Sequence, residues 1–373
     1  MANMSSYKNS PNFSHNSMEC TGVLLCNLGS PDAPTTDAVR RYLADFLWDP
    51  RVIEMSRPLW WLILHGVILR IRPKRSAHAY QTVWTDEGSP LINISKLQTV
   101  ALQKLLEQRI AGPVKVEMAM RYGNPSIPDA LERLRQANAQ RILVLPMYPQ
   151  YSGTTTASIF DAVFDELKTW RRMPELRLIN HFHDDERYID ALANSIREGF
   201  EKDGQPQRLI FSFHGIPKRY LLNGDPYFCQ CHKVARLTVA KLGLSDDQWQ
   251  VSFQSRVGRE EWLKPYTDHV LEQLPKDGIK NIAIVCPAFS ADCLETLEEI
   301  AVENRDRFIK AGGEGYHYIP ALNDRPDYME AMAELAMRHM QGWQELDVDW
   351  NVSHVNREAE LRQQRAKALG AKG

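Results

Sequence analysis

Apolar residues follow two alternating rhythms along the chain. Short runs rich in aliphatic and β-branched residues are separated by longer stretches with helical spacing. The runs cover 22–28, 114–120, 141–146, 176–181, 208–213, 250–253, 281–289 and 316–320. Several are apolar without a break, as in ILVLP at 142–146 and IAIVCPAF at 282–289. Unbroken runs predict parallel strands buried on both faces, because an antiparallel strand with one wet face would alternate. Helical patterns occupy 128–136, 185–200, 233–242 and 295–309. Strand and helix in alternation predict right-handed βαβ units. The expected fold is α/β, with two similar doubly wound domains, each a four-stranded parallel sheet flanked by helices.

Eight strands divide naturally as four and four. The predicted N-terminal α/β domain is 20–185 and the C-terminal one 186–323, with the break just before a fresh helix at 185. A helical stretch within 324–342 is expected to pack back on the first domain. The polar segment 343–373 reads as a helical tail. Residues 1–19, rich in Asn, Ser and Met, read as a disordered leader.

Composition narrows the class. The chain has 373 residues, 43% hydrophobic and 25% charged, with a formal net charge of −2. It has no broad basic field for nucleic acid. The leader lacks the apolar core of a secretory signal, and six Cys are few for this length, so reduced thiols in a cytoplasmic protein are expected. Segment 58–71 (PLWWLILHGVILRI) stands apart. It is too short to span a bilayer, which takes roughly 20 residues. Three readings stay open for it: a helix in the bilayer interface, a core helix, or the apolar wall of a pocket.

In open parallel sheets ligands bind beyond the carboxyl ends of the strands. Polar and aromatic residues gather there, including Arg121 after the second run, Tyr148 after the third and His214 after the fifth. Glycine-rich phosphate loops do not follow any run, which removes support for nucleotide chemistry. An imidazole at a strand tip can take a proton near neutral pH or bind a metal. After the seventh run, Glu295, Glu299 and Glu303 recur every four residues and form one carboxylate stripe on a helix. Taken singly, His214 also suits a structural role and the stripe a solvated face. Cys229-Gln230-Cys231-His232 lacks the spacing of a zinc knuckle.

The ordered motifs resemble ferrochelatase. They are GVLLCNLGSPDAP at 22–34, GSPL at 88–91, MRYGNPS at 120–126, LPMYPQYSGTTT at 145–156, SFHGIPKRY at 212–220, GDPY at 224–227, FQSRVGREEWLKPYTD at 253–268 and CPAFSADCLETLEEI at 286–300. Together they cover most of the chain, and the likeness is to the soluble bacterial type. The resemblance implies a lyase of haem biosynthesis that inserts Fe²⁺ into protoporphyrin IX and releases two protons. It places the active-site His on His214 and the active-site Glu on Glu295, both of which would meet the metal. Glu299 and Glu303 fall on the family's acidic helix as a proton or metal relay. Arg121 and Tyr148 fall near the metal's approach, and Leu28, Tyr80 and Trp262 on pocket-lining positions. The family's apolar lip, able to touch a membrane, falls on 60–71, which implies a cytoplasmic protein with peripheral contact on the inner membrane surface.

Two departures matter. Animal members hold a [2Fe–2S] cluster through a Cys in the YPQYS loop and three near the C-terminus. Here the loop position is Gly153 and no Cys follows Cys293. A cluster of that type is not expected, and no cofactor is required; a bacterial cluster using Cys229, Cys231, Cys286 or Cys293 stays open. Cys293 also stands where animal members carry a His, so no imidazole is expected there. The alternatives left open are a chelatase for another tetrapyrrole or metal, such as coproporphyrin or cobalt, and a porphyrin carrier without turnover.

Overall fold

A computed structural model describes residues 7–8, 14–258 and 260–371. Residues 1–6 and 9–13, part of the expected leader, lie outside the described residues. Eight strands form: β1 (Cys20–Asn27), β2 (Val114–Met120), β3 (Ala139–Pro146), β4 (Glu175–Leu178), β5 (Arg208–His214), β6 (Trp249–Gln254), β7 (Asn281–Val285) and β8 (Gly315–Ile319). They make two parallel sheets, ordered β2-β1-β3-β4 and β6-β5-β7-β8. The expected α/β fold is present. Val23, Leu24, Leu25 and Cys26 are all fully buried, as are Leu143, Val144 and Leu145. Both faces of the central strands are covered, which is why their sequences do not alternate.

Helices α1 (Thr36–Trp48), α2 (Arg57–Ile63), α3 (Leu69–Val83), α4 (Pro90–Glu107), α5 (Ile127–Gln136) and α6 (Ser158–Leu167) accompany the first sheet. Helices α7 (Glu186–Asp203), α8 (Lys218–Leu222), α9 (Tyr227–Leu242), α10 (Thr267–Gln273) and α11 (Arg305–Lys310) accompany the second, followed by α12 (Pro326–His339) and α13 (Val352–Ala368). One apolar cluster runs from Val23 and Leu25 on β1, through α4, α7 and α12, to Phe211 and Phe213 on β5. On α12, Ala331, Ala333 and Ala336 are fully buried. Such small side chains let that helix sit close to α4 and α7, which both pack against it.

The 58–71 segment is helical but not regular. A π-turn, Leu64–Ile68, joins α2 to α3 and contains Gly66. Pro73 then lies inside α3. Proline has no N–H for the carbonyl four residues back, and that carbonyl, on Leu69, accepts from Arg40 Nε at 3.1 Å instead. Trp60, Leu64 and Leu69 are buried, and Trp60 Nε1 donates to the Leu47 carbonyl at 2.7 Å. Leu59, Trp61, Leu62, Val67 and Ile71 are exposed.

The turn after β1 is pressed against the turn after β2. The Tyr122 amide donates to the Leu28 carbonyl at 2.9 Å, and Gly29 has φ +109°. A Cβ on Gly29 would lie 1.7 Å from the Tyr122 carbonyl oxygen. Gly29→Ala should therefore destabilise the fold by at least ~2 kcal/mol in urea denaturation. Gly88→Ala is the control. Gly88 shares the φ of +109°, but a Cβ there would meet nothing within 4 Å. That variant should lose only about 1 kcal/mol of backbone preference.

Candidate functional site

In each sheet the strand order reverses between neighbours, at β1/β3 in the first and β5/β7 in the second. These are the points where crossover helices leave to opposite sides and open a crevice. Leu28 follows β1, Tyr148 follows β3, His214 ends β5, and Glu295 lies beyond β7. A cleft of about 290 Å³ is lined by Leu28, Tyr42, Tyr80, Leu91, Cys293 and Glu295, among others.

His214 is oriented by its own turn. Its Nδ1 lies 2.7 Å from the Gly215 carbonyl, which can only accept. Nδ1 therefore carries the proton and Nε2 keeps its lone pair. The ring sits 6.5 Å from the Trp262 ring and 6.4 Å from that of Phe289, centroid to centroid. Burial pulls the imidazole pKa down, while the negative charge of Glu295 works against that pull. The resting ring is thus a neutral base within the field of a carboxylate.

Glu295 opens a helix of a different kind from the one expected. Residues Glu295–Asn304 form a π-helix, and only Arg305–Lys310 continues as α. Long π-helices are rare, and π-turns cluster at functional sites. Its loosened carbonyls find partners outside the ladder: Asn304 Nδ2 donates to the Glu299 carbonyl at 2.9 Å, and Tyr316 Oη to that of Ile300 at 2.7 Å. Asp292 anchors the approach, accepting from Thr296 Oγ1 at 2.9 Å and Asn323 Nδ2 at 2.8 Å.

The carboxylates step outward, with Glu295 and Glu299 part-buried and Glu303 exposed. Glu299 accepts from the Ser255 amide at 2.9 Å and from Ser255 Oγ at 2.5 Å. Burial, with Glu295 adding to it, lifts its pKa to about 7 despite those two donors. Gln254 ties the sheet to this wall. It pairs with His214 across β5 and β6, and its Nε2 donates to the Glu295 carbonyl at 3.1 Å. Burial first, then the adjacent Glu295, holds the Cys293 thiol well above the usual range, so it stays protonated.

Arg121 is locked rather than free. Its guanidinium donates to Asp49 Oδ2 at 2.5 Å and to the Ser158 carbonyl at 2.9 Å. Asp49 also accepts from Tyr122 Oη at 2.8 Å and Ser158 Oγ at 2.5 Å. Burial alone would raise the Asp49 pKa, but these donors and Arg121 more than reverse it. Tyr148 Oη, Trp262 Nε1 and Ser30 Oγ are buried without a protein partner. Tyr80 is buried beside Glu295 and Cys293, with a pKa raised mainly by burial.

Sequence reasoning missed several groups here. Arg72 on α3 feels the charge of Glu295 and lies near Tyr80; it reads in sequence as the basic edge of an apolar segment. Tyr42, which donates to the Gly29 carbonyl at 3.2 Å, and Asp49 sit on or just after a helix that the strand-tip rule does not reach. Gln254 ends β6 and Ser255 follows it, so their position was a usable signal.

Glu299 binds a proton more tightly in the folded chain than in the unfolded one. Its contribution to stability is complete below about pH 4.5 and is lost as pH rises through about 7. Glu299→Gln should therefore raise stability at pH 8 relative to the parent, by on the order of 1–3 kcal/mol. The gain should vanish near pH 4.5, as read from melting curves across that range.

The family model described as Ferrochelatase matches residues 20–340. The ferrochelatase of Thioalkalivibrio sulfidiphilus (strain HL-EbGR7) is 54% identical over 360 residues, covering 96% of this chain and 98% of that protein. That of Nitrosococcus oceani is 53% identical over 366 residues, covering 98% and 99%. Among solved structures, "SirB from Bacillus subtilis with Fe3+" superposes with a TM-score of 0.52 at 14% identity, over 88% of this chain and all of that one. At that identity the likeness concerns the fold alone.

Proposed function

The chain belongs to the ferrochelatase family, and from that premise we propose that it inserts Fe²⁺ into protoporphyrin IX, releasing two protons and forming protohaem. The observation that supports the roles is the electrostatic influence of Glu295, which lines the cleft and begins the file continued by Glu299, on the buried imidazole of His214. Metalation breaks two pyrrole N–H bonds and forms four Fe–N bonds with no change in oxidation state. The reaction therefore calls for bases and transient metal ligands, and for no redox cofactor. His214 Nε2 accepts a pyrrole proton or briefly ligates iron. Glu295 serves as ligand and base, and Glu299 and Glu303 carry protons or metal between it and solvent. Glu299 suits this because a carboxyl group with a pKa near 7 both takes and gives a proton at neutral pH.

Leu28, Tyr80 and Trp262 provide apolar contact for the ring, with Arg121 and Tyr148 shaping the approach of the metal. Apolar burial of the macrocycle supplies the free energy to hold it puckered, with its nitrogens exposed.

No helix among the described residues is long and apolar enough to cross a membrane. The exposed face of Leu59, Trp61, Leu62, Val67 and Ile71, edged by Arg70, Lys74 and Arg75, supports contact with the cytoplasmic face of an inner membrane.

Two tests follow from these roles. With protoporphyrin IX and Fe²⁺ in the absence of oxygen, the parent should convert the porphyrin spectrum to that of haem without nucleotide. His214→Ala should lower that turnover at least ~1,000-fold while porphyrin fluorescence still reports binding; wild-type turnover in the variant would sink the assignment. For the membrane, the parent should co-sediment with anionic vesicles, and Trp61→Glu with Leu62→Glu should abolish this while leaving turnover on detergent-dispersed porphyrin. Equal vesicle binding by both proteins would remove the lip from membrane contact.

A further inference from the structure

Between β4 and α7 the chain runs His181-Phe182-His183-Asp184 in a segment outside the cleft lining. Here the backbone is held at fixed points: the Phe182 amide donates to the Pro149 carbonyl at 2.9 Å, and the Asp185 amide to the Phe182 carbonyl at 3.1 Å. Phe182 turns into the core. The two imidazoles on either side of it come together, with ring centroids 4.8 Å apart at 56°. Asp184 Oδ1 lies 3.8 Å from Nδ1 of His181 and 3.8 Å from Nδ1 of His183. Among the described residues this is the one group of three or more His, Cys, Asp or Glu side chains whose ligand atoms all lie within 4.8 Å of one another.

His183 is only 4% exposed, and its Nδ1 has no hydrogen-bond partner in the protein. A buried ring nitrogen without a partner is uncommon and calls for an explanation. The side chains of His181 and Asp184 are 39% and 35% exposed, so the group opens to solvent on one side. Lys233 Nζ bonds the other Asp184 oxygen, Oδ2, at 2.5 Å. That contact fixes the carboxylate with Oδ1 toward the imidazoles, as outer partners do for metal ligands. From α12, His339 stands near His181 and within the field of Arg338 and Arg177. Their presence and the Lys233 charge weaken the attraction for a cation without filling its place.

We propose that His181, His183 and Asp184 form a binding site for one divalent first-row transition-metal ion, separate from the iron-insertion cleft. Two imidazoles and one carboxylate suit zinc-like ions and disfavour Mg²⁺ and Ca²⁺, which prefer all-oxygen shells. Around tetrahedral zinc, with bonds of about 2.0–2.2 Å, ligand atoms stand roughly 3.3–3.5 Å apart. The two imidazole–carboxylate spacings of 3.8 Å are within a few tenths of an ångström of that geometry, and the three ligand atoms, all within 4.8 Å of one another, reach it by rotation of the partly exposed His181 and Asp184 side chains. Burial pushes the His183 pKa down to about 4, so its ring is in the neutral, ligating form at physiological pH. Three protein ligands leave a coordination position to water from the solvent side. A bound ion would clip the connection between β4 and α7 and so stabilise the fold.

The test uses the full chain carrying His214→Ala, which removes the cleft imidazole, after dialysis against a chelator. Zn²⁺ is then added in excess Mg²⁺, and bound metal is measured by equilibrium dialysis. One more Zn²⁺ per chain is expected in this protein than in the same protein carrying His181→Ala, at free Zn²⁺ below about 100 μM. His181→Ala should weaken that binding at least ~10-fold and abolish the Zn²⁺-dependent rise in melting temperature. Because the His181 side chain is 39% exposed and not in the core, the metal-free melting temperature should change by less than the Zn²⁺-dependent rise, which separates loss of ligand from loss of fold. Co²⁺ in place of Zn²⁺ should give visible absorption of a low-coordinate nitrogen and oxygen site, lost in the same variant. Identical Zn²⁺ stoichiometry with and without His181 would overturn the proposal. His181→Ala alone should insert iron at the parent's rate within about twofold; a large loss would refute the separation from the cleft.

Discussion

A parallel sheet covered on both faces has nowhere to expose chemistry except its ends. That constraint governs this molecule. β1, β3, β5 and β7 are central and buried, so substitutions along them change packing rather than function. The residues that can meet a ligand are those just past the carboxyl ends, where the order of strands reverses. Leu28, Tyr148, His214 and the helix beginning at Glu295 occupy those places. The cleft is a consequence of the topology before it is a consequence of any one side chain.

The same constraint explains what could be read from the sequence. The central strands were legible because burial on both faces leaves an unbroken apolar run, a signal that solvent does not dilute, whereas edge strands such as β4 and β8 are only part-buried and their runs are mixed. The polar groups past each run were legible because the rule for parallel sheets names their location. Helices α1, α4 and α6 were not singled out, although α4 carries a buried stripe through Leu91, Gln98, Leu102 and Leu106. The π-helix was illegible for a physical reason. Glu295, Glu299 and Glu303 have the spacing of an ordinary α-helix face, and what alters the winding is long-range. Tyr316 and Asn304 satisfy its carbonyls, and Asp292 is pinned by Asn323. Arg72 and Asp49 were hidden similarly: only the folded chain brings α3 toward Glu295 and the end of α1 beneath Arg121.

Two carboxylates at this site show how surroundings decide role. Asp49 is almost wholly buried yet stays ionised, because Arg121, Tyr122 and Ser158 all donate to it. It fixes Arg121 in place and has no proton to offer. Glu299 accepts two hydrogen bonds from Ser255 alone and faces Glu295, so its charged form is disfavoured until near pH 7. The more buried carboxylate is thus a structural anion, and the part-buried one is poised to titrate. The difference lies in the number of donors and in whether the nearest charge is opposite or alike.

On the proposed roles, the charges of the reaction favour a file of carboxylates over a single base. Replacing two pyrrole protons with Fe²⁺ leaves the charge of the ring and its contents unchanged. The electrostatic difficulty is confined to transit, when a dication moves through a poorly solvated wall and two protons must leave. A cation beside Glu299 lowers its pKa and drives off its proton. Once the cation has passed, Glu295 is again the nearest charge and the pKa returns upward. On the roles proposed above, metal movement in one direction would be tied to proton movement in the other, through residues spaced from the part-buried Glu295 to the exposed Glu303. His214 cannot do this alone, since burial keeps it neutral and its Nδ1 is committed to the Gly215 carbonyl. One imidazole takes a proton locally; disposing of it requires a chain of groups that ends in water.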